Sequence, residues 1–204
     1  MANLADLFDS VAARALDAQA SALAADGGWG LMAQAGQAAW QCLLQHWPQA
    51  RRIGVVVGAG NNGGDGHVLA RHALQAGREV MVIALPGKSP STVLAQRAAS
   101  EFKSGGGTIT DFDGALPETD IWVDALFGLG FDRAPEGVAQ ALIVALNAQA
   151  VPVLALDVPS GVDADRGAVP GVAVKAALTL QFIVPHPGLY TGAALDHWGQ
   201  KALA

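Results

Sequence analysis

The chain is poor in cysteine, in charge and in long apolar runs, and each shortage narrows what it can be. Its single cysteine, Cys42, rules out an intrachain disulfide and fits a reducing compartment. Cys42 falls in an apolar helical pattern and reads as core. Only 15% of residues are charged and the net charge is −6. Such a chain offers no basic face to a polyanion, which argues against non-specific nucleic-acid or anionic-membrane binding. No apolar stretch approaches the ~20 residues of a membrane span, and no basic segment leads into an apolar one after Met1. A cytoplasmic protein is expected. With 51% of its 204 residues hydrophobic, the chain can bury a sizeable core as one domain, 1–204.

Several catalytic patterns are also missing. There is no Gly-Lys-Ser/Thr phosphate loop, no Gly-x-Ser-x-Gly elbow and no Ser/His/Asp set. The histidines form no His-x-x-x-His or Cys/His cluster of the kind that holds zinc. His67 and His72 lie five apart on a predicted helix. His186 and His197 lie in a loop-like tail. All four read as surface or packing residues.

What is present is an alternation of short apolar strands and helices. Strands are expected at 53–57, 79–85, 107–110, 121–124, 153–156 and 177–183, with helices at 66–76, 91–104 and 135–148. Two Ala-rich helices precede them, at 4–24 and 31–46, broken at Asp26-Gly27-Gly28 and closed by Pro48. Alternating βα units of this kind imply an α/β fold. The expected form is a mostly parallel sheet with helices on both faces.

The richest stretch runs from Gly58 to Gly66, Gly-Ala-Gly-Asn-Asn-Gly-Gly-Asp-Gly, directly after the first strand. It reads as a ligand-facing loop that ends at a helix N-terminus, where unpaired N–H groups suit an anion. Gly58, Gly60 and Gly63 match the dinucleotide fingerprint, but that fingerprint needs an acid at the end of the second strand. Here that strand closes on Ala84-Leu85-Pro86, and Glu79 stands at its other end. An ordinary dinucleotide-dependent dehydrogenase is therefore disfavoured.

Ligands bind beyond the carboxyl ends of parallel strands. Three such ends carry polar chemistry: the Asn61–Gly66 stretch, the segment from Asp124 to Arg133, and the segment from Asp157 to Asp165. Asn61 or Asn62, Asp124 and the Ser160 hydroxyl are hard oxygen donors that suit an alkali or alkaline-earth cation rather than zinc. Asp163 and Asp165, bracketed by Gly161 and Gly167, read as turn residues. Arg133 could pair with ligand phosphates or with Asp132 or Glu136.

Three motifs in this order carry a resemblance. Gly58 to Gly66, then Val123-Asp-Ala-Leu-Phe-Gly-Leu-Gly130, then Ala155-Leu-Asp-Val-Pro-Ser-Gly-Val-Asp163 together resemble the YjeF N-terminal domain, the NAD(P)H-hydrate (NAD(P)HX) epimerase family. Leu31-Met-x-x-Ala-Gly36 and the tail Phe182 to Tyr190 resemble the family's early helix and closing strand. The resemblance implies a Rossmann-like, three-layer α/β/α sandwich and epimerisation of the R and S forms of hydrated nicotinamide cofactor, usually by a homodimer. It implies that Asn61, Asn62, Gly63, Gly64 and Asp65 meet the substrate. It also implies that Gly128, Leu129, Gly130, Phe131, Asp132, Arg133 and Ala134 surround the phosphates. Asp157 would stand at the reacting ring as the acid/base, and one potassium ion per subunit would be held by Asn62, Asp124 and Ser160. A nucleotide-dependent dehydratase consumes the S form, and in many bacteria it is fused C-terminally. The resemblance thus allows two arrangements, a separate dehydratase or one for which this chain is the N-terminal part of a longer bifunctional polypeptide. Members often carry lysine where His186 stands and aspartate where Ala177 stands. The alternative is a non-catalytic binding or scaffold module on the same fold.

Overall fold

Short valine- and isoleucine-rich runs form strands buried on both faces. The structure, a computed structural model, describes residues 7–130 and 133–204. Its strands are Arg52–Val57 (β1), Glu79–Ala84 (β2), Ile109–Asp111 (β3), Ile121–Ala125 (β4), Val153–Leu156 (β5), Leu178–Gln181 (β6) and Gln200–Leu203 (β7). They form one sheet in the order β3-β2-β1-β4-β5-β6-β7. Every pairing is parallel, with Val56 opposite Asp124 and Asp124 opposite Ala155. The chain winds outward from β1 to β3, then returns to β4 and winds the other way. The connections after β1 and β4 therefore diverge and leave a crevice at the carboxyl edge.

The helices are Ser10–Leu23 (α1), Trp29–His46 (α2), Asn61–Gln75 (α3), Val93–Ser104 (α4) and Gly137–Asn147 (α5). Side chains alternate across each strand and so feed two cores. On one face Val55, Ile121, Val123 and Leu154 pack with Leu43 of α2, Leu69 of α3 and Phe102 of α4. On the other, Val56, Trp122 and Val153 pack with Leu142, Ile143 and Leu146 of α5. Cys42 is buried in the first core. These are the three layers expected from the sequence. No helix among the described residues is long and apolar enough to cross a membrane.

The first helix reaches over the carboxyl edge instead of adding to a core. Asp9 caps it by accepting from the Ala12 N–H at 2.7 Å. The Ser10 N–H and hydroxyl donate to Asp165 at 2.6 and 2.7 Å, and the Phe8 N–H donates to the Pro185 carbonyl at 3.0 Å. Asp165, read from sequence as a turn residue, is thus also an anchor for α1. Asp163 does hold a turn, accepting from the N–H groups of Asp165 and Arg166.

Most element ends shift by a few residues, and two departures from expectation are larger. The helix expected to start at 66 starts at Asn61, so the Asn-Asn-Gly-Gly-Asp-Gly stretch is the opening of α3 and not a loop. Its glycines lower helix propensity, but packing requires them. A Cβ on Gly63 would run into the Gly58 carbonyl, and one on Gly64 would lie 2.6 Å from Met32 Cε and 3.2 Å from Ala95 Cα. The second difference is β7. Its residues alternate no apolar pattern because it is a partly exposed edge strand, so sequence left it in the tail.

Candidate active site

The crevice holds a cavity of about 940 Å³, large enough for a dinucleotide-sized ligand. All three polar segments reach it: Asn61, Asn62 and Asp65 from the start of α3, Gly128, Leu129, Gly130 and Arg133 after β4, and Asp157 after β5. Leu31, Met32, Leu94, Leu126 and Phe182 supply apolar wall. Gly63 and Gly64 are buried in helix packing behind it. Ala134 packs near Gly171, and Phe131 and Asp132 lie outside the described residues.

Asp124 ends β4 and is fully buried. Its Oδ1 accepts from the Ser160 hydroxyl at 2.7 Å and from the Leu126 N–H at 3.2 Å, and its Oδ2 accepts from the Ser160 N–H at 2.8 Å. Burial pushes this carboxyl up to about 6, against the pull of the Ser160 and Leu126 hydrogen bonds. The Ser160 Oγ accepts in turn from the Phe127 N–H at 2.9 Å. Asn62 holds the other side of the same residue, donating from Nδ2 to the Phe127 carbonyl at 2.7 Å and to the Leu156 carbonyl at 3.2 Å. Asn62 and Ser160 therefore both hold Phe127, and Asp124 is tied to it through Ser160. The Asn62 Oδ1 is buried without a hydrogen-bond partner. That donor set fits a hard monovalent or divalent cation, and no His/Cys/Asp/Glu cluster suited to a metal occurs among the described residues.

Asp157 sits at the mouth of this arrangement in a strained backbone. Its φ is 68°, and the Val158 N–H donates to the Leu156 carbonyl at 2.9 Å, closing a three-residue γ-turn around it. The turn aims the carboxylate into the cavity, where Oδ2 accepts from the Leu129 N–H at 3.1 Å. Gly128 passes between it and Asn62, and a Cβ there would lie 3.0 Å from Asp157 Oδ2 and 3.2 Å from Asn62 Cβ.

Two further carboxyls share the cavity. Burial raises Asp65 well above the usual carboxylate range, helped by repulsion from Asp157 and Asp17. Asp17 of α1 is also raised, by burial and then by Asp157. Both shifts favour the protonated form of these carboxyls over the form they would take in water. Two arginines also border the cavity: Arg14 reaches the Leu129 carbonyl at 3.4 Å, and Arg133 is exposed at the rim.

Sequence reasoning missed three contributors. Arg14 and Asp17 come from α1, which carries no motif; its tethers to Asp165 and Pro185 place them. His186, read as a surface or packing residue, is fully buried, with Nε2 3.4 Å from Asp157 Oδ1. Its meeting with Asp157 depends on two strand ends becoming neighbours, which local pattern does not show. The reading of His67 as packing fits its burial against Phe102.

Comparisons with known proteins cover most of the chain. The model of the family described as YjeF-related protein N-terminus matches residues 29–188. An NAD(P)H-hydrate epimerase from Limosilactobacillus fermentum is 38% identical over 174 residues, which cover 85% of this chain and 84% of that protein. The bifunctional NAD(P)H-hydrate repair enzyme Nnr of Escherichia coli is 42% identical over 171 residues, covering 83% of this chain and 33% of that protein. The bifunctional NAD(P)H-hydrate repair enzyme of Leishmania braziliensis is 41% identical over 175 residues, covering 83% and 31%. The chain thus spans about a third of the length of the bifunctional relatives it matches. The crystal structure of yeast ynu0 shares the fold, with a TM-score of 0.76 and 24% identity over 93% of this chain and 85% of that one.

Proposed function

The chain belongs to the YjeF-related N-terminal family, and on that premise we propose that it interconverts the R and S epimers of hydrated NADH and NADPH. The observation that carries this reading is Asp157, a carboxyl held by a strained turn in a dinucleotide-sized cavity. A relative of similar length, named as an NAD(P)H-hydrate epimerase, supports it. A scaffold reading gives the strain at Asp157 and the buried polar network no task.

The hydrated ring carries nitrogen and hydroxyl on the same carbon, C6. Asp157 donates a proton to the hydroxyl, the C–O bond breaks, and the ring-nitrogen lone pair forms a C=N bond. Water leaves and the ring becomes planar at C6. Water then adds from either face and returns a proton to Asp157. The Asn61 and Asn62 N–H groups at the α3 N-terminus, with Arg14 and Arg133, serve the diphosphate. Asp65, which lines the same cavity at the start of α3, contacts the substrate.

Potassium is the cation proposed for Asn62, Asp124 and Ser160. When bound it supplies positive charge that neutralises Asp124 and holds the Phe127 loop; its low charge density makes it a poor Lewis acid. The same reading carries a homodimer acting in the cytoplasm, with a nucleotide-dependent dehydratase consuming the S epimer. The direct test mixes purified protein with R-NADHX and follows the S form, after subtracting the spontaneous rate. Conversion no faster than that rate would overturn the proposal.

A further inference from the structure

His186 is fully buried although its ring carries two polar nitrogens. Its backbone N–H donates to the buried Gln181 Oε1 at 2.9 Å, which fixes the residue just before the 3-10 turn Pro187–Tyr190. Its Nδ1 lies 3.2 Å from the Phe8 carbonyl oxygen. A carbonyl can only accept, so Nδ1 carries a hydrogen. In a neutral ring Nε2 is then bare. That nitrogen is buried without a hydrogen-bond partner and lies 3.4 Å from Asp157 Oδ1. A bare nitrogen beside an ionised oxygen would set two lone pairs against each other. One additional proton, on either atom, turns that clash into an attraction.

The backbone is arranged for this meeting. Asp157 and Ile183 both have positive φ, 68° and 66°. Each is the centre of a γ-turn, closed by Val158 N–H to Leu156 carbonyl in the first and Val184 N–H to Phe182 carbonyl in the second. A β-branched residue at such a φ is an outlier that the surroundings must enforce. The two turns follow the adjacent strands β5 and β6, and the Asp157 N–H donates to the Leu180 carbonyl at 2.7 Å. They bring the Asp157 carboxyl and the His186 ring face to face, while the Phe8–Pro185 hydrogen bond holds the carbonyl that fixes the ring. The other titratable groups bearing on Asp157 are Asp65 and Asp17, both acids. Arg14 is directed to the Leu129 carbonyl and the Ser10 hydroxyl.

We infer that His186 is the positioning partner of Asp157: Nε2 and Oδ1 hold one proton in common, and the Phe8 carbonyl fixes the ring tautomer. The inference rests on the epimerase reading for its consequence in turnover. As the C6–O bond breaks, Asp157 gives its proton to the departing oxygen, which leaves as water. As water adds back to C6, its proton goes to Asp157. Nδ1 keeps its hydrogen throughout, so the pair ends each cycle with the proton it began with.

Two measurements test this. In the full chain labelled with ¹⁵N-histidine, long-range ¹⁵N–¹H spectra at neutral pH report the ring state of His186. Protonated Nδ1 is expected, with an Nε2 resonance that moves when Asp157→Asn replaces the shared proton by an amide donor. A ring protonated on Nε2 and bare at Nδ1, unmoved by Asp157→Asn, would overturn the inference. In the R-NADHX assay, His186→Leu should keep KM within about twofold while kcat falls about 10- to 100-fold, less than the 10²–10⁴ of a group that moves the proton itself. His186→Lys, which restores a proton-bearing group beside Asp157, should recover at least fivefold over His186→Leu. Equal kcat in wild type and His186→Leu, or no recovery with lysine, would overturn it. A wild-type protein without epimerase activity would sink the functional reading alone, since the spectra still decide the shared proton.

Discussion

A buried histidine without a compensating charge ties stability to pH. His67 is 1% exposed, its Nδ1 has no partner, and burial, with Lys103 nearby, lowers it from the ordinary 6.5 to about 4. Between those values the unfolded chain takes a proton that the native ring refuses. Stability should therefore fall as pH drops from about 6.5 to about 4 and level off outside that window. At about 1.4 kcal/mol per pH unit this one residue accounts for about 3 kcal/mol. Asp124 runs the other way: raised to about 6, it adds stability below its ordinary 3.8 and loses it as pH rises through 6. The difference between wild type and His67→Phe, measured by urea unfolding at pH 7 and pH 4.5, isolates the histidine. Parallel pH profiles for the two proteins would contradict this account of His67.

At the scale of elements, the opening of α3 separates two kinds of glycine. Gly64→Val drives side-chain atoms into Met32 and Ala95 and should cost about 1–3 kcal/mol or more by overpacking. Among the described residues, Gly130 has only Arg14 Nη1, 3.8 Å away, near where its Cβ would be. Gly130→Val should leave the melting temperature within a degree or two while weakening nucleotide binding in a calorimetric titration. A stable Gly64→Val would contradict the packing role. The sequence displayed both glycines in polar loops and did not distinguish them. Strands such as β1, β4 and β5 were legible because burial on both faces writes an uninterrupted apolar run. The start of α3 was not, since its glycines answer to Gly58 and Met32, contacts that arise only in three dimensions. Edge strand β7, half exposed, carried no pattern to read. The place of Asp157 beyond its strand was legible, but its γ-turn and its histidine neighbour were not, because both depend on the register of β5 against β6.

Across the whole molecule, the site is a product of chain reversal. The sheet order turns at β1 and β4, which opens the crevice, and α1 returns over it with Arg14 and Asp17. A cation bound beneath Phe127 would join the segments after β1, β4 and β5, so its effect should be global. At 100 times its dissociation constant it would stabilise the fold by about 2.7 kcal/mol. Melting temperature should rise in potassium chloride over choline chloride at equal ionic strength for wild type, and rise less for Asn62→Ala. An identical rise in both would remove Asn62 from the cation site. The central claim is that the carboxyl of Asp157 moves the proton at C6. Asp157→Asn keeps the shape and should bind NAD(P)HX with nearly unchanged affinity, while epimerisation above the spontaneous rate falls by about 10²–10⁴. An Asp157→Asn protein that still converts R-NADHX to the S epimer at the wild-type rate would contradict it.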